Sequence, residues 1–345
     1  MRVLAVTNMY PTPDNPSVGT FVEQQVKSLR DCGVEVEILH LDRVRGGTRA
    51  YRNAGALALH QAERMQADIL HVMYGGIMAE RVTSAVRHLP VVVSFCGSDL
   101  LGEPLSRLKP RLFASLGVQL SYLAARRAAG IIVKSERMRS ALPRDLDEAK
   151  VRVIPNGIDL TRFKPLDRAD CLSSLGWDPA HFHVLFPANN GNPVKRPALA
   201  QAAVDALRRN GMPAEMHRLQ NVPHADVPLW LNASDAILLT SQHEGSPNIV
   251  KEALVCNRPV VSVDVGDVKE RLEGIEGCYL SLPEAEDLAS KLQAVLERRT
   301  PVSSRTRMEK VSLASVAREL QLFYQELLAL RWIARMDDRR IPHAI

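Results

Sequence analysis

The chain has 345 residues, 46% hydrophobic and 24% charged, with a formal net charge of +5. That is too long for one ordinary core and points to two globular domains. Aromatic content of 5% without basic–aromatic interleaving argues against a nucleic-acid surface, and no apolar run approaches the ~20 residues that span a bilayer.

"RVLAVT" (2–7) reads as a first strand and is too short in its apolar part for a signal peptide, so a cytoplasmic protein is expected. In "VGTFVEQQVKSL" (18–29), Val18, Phe21, Val22, Val26 and Leu29 fall on one helical face, and Gly33 supplies a C-terminal stop. Further short apolar runs stand at 34–41, 68–73, 90–95 and 130–134, with helical patterns between them. Strand and helix alternating in this rhythm predict a parallel sheet with helices on both faces.

The rhythm restarts after "VRVIPNGIDLTRFKP" (151–165), with strand patterns at 182–188, 214–219, 235–241, 258–264 and 277–282. The expected division is a Rossmann-like domain over 1–160, a second over 161–315, and a helix and tail over 316–345 that packs back on the first. Val316, Leu320, Phe323, Leu327 and Leu330 step by three and four along that last helix. Two doubly wound domains would face each other across a central cleft, with ligands at the carboxyl ends of the strands.

The stretch "SQHEGSPNIVKEAL" (241–254) places Glu244 and Glu252 on either side of a turn that follows the strand pattern "DAILLTS". Ser246 is suited to N-cap a helix and Pro247 to open it. Backbone N–H groups of Asn248, Ile249 and Val250 would then point at an anion. Paired hydroxyls are good ligands for a carboxylate, so the stretch suits a nucleotide sugar: phosphates on the helix end, sugar hydroxyls near Glu244, ribose near Glu252. A bare Glu-x7-Glu spacing arises by chance about once in a chain this long, and a helix start beside a solvated acid explains it equally well.

Taken with its surroundings, the sequence resembles the GT-B glycosyltransferases of family 4. "HEGSPNIVKEALVCNRPVVSVDVGDVKE" is similar to the donor signature of that family, "VIPNGIDLTRF" to its interdomain stretch, and "PVVVSFCGSDLLG" to its N-domain loop. Within the family the chain resembles the teichuronic-acid or exopolysaccharide type. The resemblance implies the GT-B fold and a hexosyltransferase that moves sugar from an NDP-sugar with retention and without a required metal or other cofactor. It also implies that Glu244 holds the donor sugar, that Glu252 binds the ribose, and that Gly245, Ser246 and Pro247 line the donor. A saccharide or lipid-linked acceptor follows, with peripheral association at the inner face of the plasma membrane.

In "NNGNPVKRPALA" (189–200), Lys195 fits the family's phosphate-binding Lys, but Asn190 stands where an Arg is usual, which either weakens the phosphate grip or passes it to Arg196. The loop "YPTPDNPSVGTFVEQQ" (10–25) with Gly19 is implied to approach phosphate or acceptor, although turn punctuation alone explains its Pro and Gly. In "SFCGSD" (94–99), Cys96 replaces the family's usual His, and Asp99 would either bind acceptor hydroxyls or cap a helix.

The five scattered cysteines contain no CxxC pair, and no metal site is expected. His217 and His224 are expected near the base pocket. "DLD" (145–147) is expected to be solvated. The basic, leucine-rich stretch 105–128 is either a core helix with solvated cations or a rest for anionic lipid. Two other readings stay open: a GT-B sugar-nucleotide epimerase, which needs acid/base groups not evident here, and a non-catalytic sugar-nucleotide-binding subunit.

Overall fold

The expected strands form and pair in parallel throughout. The computed structural model describes residues 1–15, 18–102, 108–188, 193–298 and 302–338. The chain divides into two units, Met1–Gly157 with Ala314–Ile345, and Ile158–Leu313.

In the first unit β1 (Arg2–Thr7), β2 (Glu35–His40), β3 (Ile69–Val72), β4 (Val91–Ser94), β5 (Gly130–Val133) and β6 (Val151–Val153) form one sheet in the order β2-β1-β3-β4-β5-β6. Every residue of β3, β4 and β5 is buried, the mark of a parallel sheet covered on both faces. Alternation then sorts the side chains. Leu4, Leu70, Val93 and Ile131 pack with Ala58, Met78 and Ala124 on one face, and Val3, Ile69, Val92 and Ile132 pack with Val22 and Val26 on the other.

The last helix, Leu313–Asp338, contributes Val316, Leu320, Phe323, Tyr324 and Leu327 to that second layer. Its approach needs a glycine in β5, because a Cβ on Gly130 would stand 2.7 Å from Phe323 Cζ. A polar contact crosses the same layer: buried His71 meets Ser94 Oγ through Nε2 at 2.6 Å and the Tyr324 hydroxyl through Nδ1 at 2.6 Å. Burial pulls the His71 pKa down to about 3, with nearby Lys134 adding to the effect.

In the second unit β7 (Phe182–Phe186), β8 (Ala214–Arg218), β9 (Ala236–Leu239), β10 (Val260–Val263) and β11 (Tyr279–Ser281) are ordered β11-β10-β9-β7-β8. Its core joins Leu185, Ile237, Leu238 and Val261 to helix residues such as Val204, Leu207, Val250 and Leu254. Strand order reverses around β7, with β8 on one side and β9 on the other, so the loops after β7 and β9 lie at the switch point where such sheets bind ligands.

Candidate active site

Two loops of the second unit are stitched together at the carboxyl ends of β7 and β9. The first ends in a 3-10 turn, Pro193–Lys195, and in Arg196, whose left-handed φ of 50° turns the chain into the helix Pro197–Arg209. The second covers residues 240–247. The Thr240 hydroxyl donates to the Lys195 carbonyl at 2.7 Å, and Gln242 N–H donates to the Val194 carbonyl at 2.8 Å.

Arg196 donates through Nε to the Thr240 carbonyl and through a terminal nitrogen to the Ser241 carbonyl at 3.1 Å. Its guanidinium, expected to share the phosphate grip, ties the two loops together through two of its N–H groups. Burial pulls its pKa below the ordinary arginine value. Asn190, the other half of that expectation, lies outside the described residues.

Lys195 Nζ donates to Glu244 Oε1 at 2.5 Å, and the Ser241 hydroxyl donates to the same oxygen at 2.7 Å. Both side chains keep solvent access, 19% for Lys195 and 18% for Glu244. A cation and an acid that pair across two loops and remain open to solvent can separate around a ligand carrying both phosphate and hydroxyls.

The helix expected from Glu252 runs over Asn248–Val255, with Pro247 as its N-cap. Ser246 is therefore not the cap, contrary to expectation. Its hydroxyl donates to Asp267 Oδ2 at 2.9 Å and accepts from the buried Lys251 Nζ at 3.0 Å, while Arg271 Nε reaches the same Asp267 oxygen at 2.8 Å. This network ties the loop before the helix to the loop after β10. Of the expected anion-facing N–H groups, that of Val250 donates to the Pro247 carbonyl at 3.2 Å. Gly245 is buried, and its carbonyl would stand 2.7 Å from a Cβ on Gly266, whose φ is +58°.

Glu252 is 7% exposed. His224 Nε2 lies 3.4 Å from Glu252 Oε1, and His224 Nδ1 lies 2.7 Å from an Arg162 guanidinium nitrogen. Arginine can only donate, so Nδ1 accepts and Nε2 carries the proton toward Glu252. Phe163 meets the same imidazole edge-on at 5.5 Å between centroids. His224 is thus beside Glu252. His217 is not, because it stacks on Trp177 at 3.5 Å beside β7 and β8. His243 Nε2 and Asp267 Oδ1 are buried without a hydrogen-bond partner among the described residues, and such atoms are uncommon unless a ligand or water completes them. Among the described residues neither Glu244 nor Glu252 belongs to a group of three His, Cys, Asp or Glu side chains close enough to share an ion.

The candidate residues of the first unit have structural partners. Gly19, with φ of 74°, N-caps the helix Thr20–Asp31, and a Cβ there would lie 2.3 Å from the Met9 carbonyl carbon. Asp99 accepts from the N–H groups of Gly97 at 2.7 Å, Gly75 at 2.7 Å and Cys96 at 3.0 Å. Its carboxylate pins the loop after β4 to the loop after β3. The capping reading of Asp99 is corrected, since Gly97 is the helix N-cap. Burial raises the Asp99 pKa against the pull of those N–H groups. Burial and the Asp99 charge push the Cys96 thiol up to about 12, so Cys96 is a neutral thiol here. Lys134, 3% exposed and just after β5, is within electrostatic reach of both and escaped sequence reasoning.

Asp145 pairs with Arg126 at 2.8 Å, and Asp147 caps the turn Glu148–Lys150, so "DLD" is a surface feature. Arg127 pairs with Glu80 at 2.9 Å. Among the described residues no helix is long and apolar enough to cross a membrane.

Two parallel sheets with a basic–acidic pair at the switch point of the second are the marks of a GT-B glycosyltransferase. The family model described as Glycosyltransferase Family 4 matches residues 18–162, and that described as Glycosyl transferases group 1 matches residues 191–298. The chain belongs to glycosyltransferase family 4, and it is a glycosyltransferase. It is 24% identical over 332 residues to a protein named as a teichuronic acid biosynthesis glycosyltransferase, TuaC, of Bacillus subtilis (strain 168), covering 78% of this chain and 82% of the relative. The fold is shared with sucrose-phosphate synthase from Thermosynechococcus elongatus, at a TM-score of 0.75 and 15% identity over 96% of this chain and all of that one (100%). It is shared too with Anabaena Alr3699/HepE in complex with UDP and glucose, at a TM-score of 0.65 and 16% identity over 92% of this chain and 98% of that one.

Proposed function

We propose that the protein transfers a sugar from a UDP-sugar, with retention and without a catalytic metal, to a hydroxyl of a cell-surface polysaccharide or lipid-linked saccharide precursor. The observation that carries the reading is the 2.5 Å pair of Lys195 and Glu244 at the ends of β7 and β9, with Glu252 on the helix that follows. The UDP-bound HepE structures support the choice of nucleotide, and the name of the Bacillus relative supports the class of acceptor.

In this mechanism the donor diphosphate displaces Glu244 as the partner of Lys195. The released carboxylate, still held by Ser241, turns to the hydroxyls of the donor sugar and fixes the anomeric carbon. Glu252, backed by His224, accepts from the ribose hydroxyls. As the bond from the anomeric carbon to the phosphate oxygen breaks, negative charge grows on the diphosphate, and Lys195 stabilises it. The departing phosphate oxygen takes the proton of the acceptor hydroxyl on the same face, so no side-chain base is needed.

The test is release of UDP from a panel of UDP-sugars on addition of cell-envelope saccharide acceptors, with the anomeric configuration of the product read by NMR. Acceptor-dependent turnover that persists in EDTA, with a product of the donor's configuration, is the expected result. An inverted product or complete loss in EDTA contradicts the mechanism.

A further inference from the structure

At the far end of β7 from Lys195, two imidazoles and a carboxylate converge on the edge of the second sheet. His183 is the second residue of β7 and fully buried, and it pairs in register with Glu215 of β8. His217, two residues further along β8, points to the same face. His183 Nδ1 lies 2.9 Å from His217 Nε2, and Glu215 Oε2 lies 4.0 Å from the first and 3.7 Å from the second. We propose that His183, Glu215 and His217 bind a structural divalent ion of the zinc class.

The spacing suits such an ion. A tetrahedral zinc with bonds of about 2.05 Å separates its donor atoms by about 3.3 Å. The three observed separations, 2.9, 3.7 and 4.0 Å, bracket that value, so small side-chain rotations close the site.

The tautomers suit it too. His183 Nε2 lies 2.8 Å from the Asp178 carbonyl, which can only accept, so Nε2 carries the proton and Nδ1 presents a lone pair. A backbone carbonyl on the outer nitrogen is the usual way a ligating imidazole is oriented. In the ion's absence His217 Nε2–H donates to that lone pair. An ion replaces this bond once the His217 proton moves to Nδ1.

Around the trio the packing is already firm. Trp177 stacks on His217, and Trp230 meets Trp177 edge-on at 5.4 Å. His181 Nδ1 lies 3.2 Å from Asp178 Oδ2 and 3.5 Å from Glu215 Oε1. Glu215, 41% exposed, opens the trio to solvent, which gives the ion an entry path and a water for its fourth position. Imidazole and carboxylate donors without thiolate favour zinc over softer ions and over calcium or magnesium. The ion would fasten β7 to β8, which is an edge strand with no further partner in the sheet among the described residues. It lies away from the donor site and is not part of the transfer chemistry.

The experiment uses the tag-free full chain, dialysed against chelator and titrated with ZnCl2 against a chromogenic zinc indicator, with thermal unfolding followed in parallel. We expect one zinc per chain, a Tm raised by several degrees, and tetrahedral d–d bands when Co(II) replaces zinc. Glu215→Gln should weaken binding at least tenfold, and His217→Gln should abolish the bands. Should His217→Gln fold poorly, Glu215→Gln alone decides, because Glu215 is a surface side chain. Unchanged affinity in Glu215→Gln, no rise in Tm, or octahedral Co(II) spectra would overturn the site.

Discussion

Lys195 and Glu244 come from loops that follow different strands, yet their charged atoms lie 2.5 Å apart. Neither is buried enough for the pair to be a major support of the fold, since both are nearly one-fifth exposed and partly screened pairs contribute little. In the function proposed above, their proximity brings together two groups that act on one donor.

Glu244→Gln should lower kcat by about a hundredfold or more while the melting temperature changes little, as expected for a group that holds the reacting sugar. Lys195→Ala should cost a similar factor and also weaken binding of free UDP. Steady-state kinetics on both single variants and the double variant should give losses well short of additive. Unaltered turnover in Glu244→Gln would remove its assigned role.

Glu252→Ala should act on binding. A hydrogen bond to a charged group contributes about 1.5–3 kcal/mol, so the donor KM should rise by roughly tenfold or more with kcat nearly unchanged. His224→Phe should raise KM less, because its contact with Glu252 is long at 3.4 Å. A fall in kcat alone would mean that Glu252 meets the transition state rather than the nucleoside.

Gly266→Ala tests the loop geometry without touching a charged residue. Its φ of +58° and the Gly245 carbonyl oxygen 2.7 Å from the added Cβ leave no room for a side chain. The left-handed conformation alone costs about 1–2 kcal/mol, and the clash pushes on the residue next to Glu244. Activity should fall severalfold or more, with stability reduced by at least that strain. Wild-type kinetics in this variant would show that the loop tolerates displacement.

Acid should weaken the first unit through His71. Its pKa is about 3 when folded against an ordinary histidine value of 6.5, so between those values the unfolded chain holds more protons. Stability then rises with pH and is lost as pH falls below 6.5, at up to about 1.4 kcal/mol per pH unit. From about pH 7 to pH 5 this group should remove about 2 kcal/mol. Urea unfolding of wild type and His71→Gln isolates the His71 share, because the variant should lose less on acidification. Equal losses in the two proteins would contradict it.

The strands were legible because each is a short, continuous apolar run bounded by turn residues, which is what a sheet buried on both faces requires. The positions of Glu244 and Glu252 were legible because the turn after β9 and the helix beyond it can be read locally, and that of Lys195 because a turn and a helix follow β7. The roles of their neighbours depend on contacts far along the chain. Arg196 reaches carbonyls at Thr240 and Ser241, Ser246 reaches Asp267, and Asp99 reaches the N–H of Gly75. No local pattern announces such partners. Ser246 looks like a cap by composition, but Lys251 and Asp267 compete for its hydroxyl and win. His183 and His217 meet only because β7 and β8 pair in a particular register.

The most direct test of the donor site is thermal unfolding with UDP, GDP and ADP for wild type, Lys195→Ala and Glu252→Ala. A ligand that binds only the folded state raises Tm. UDP should raise the wild-type Tm more than GDP or ADP, and both substitutions should remove most of the rise. No rise with any nucleotide, or an equal rise in all three proteins, would contradict a donor site built on Lys195, Glu244 and Glu252.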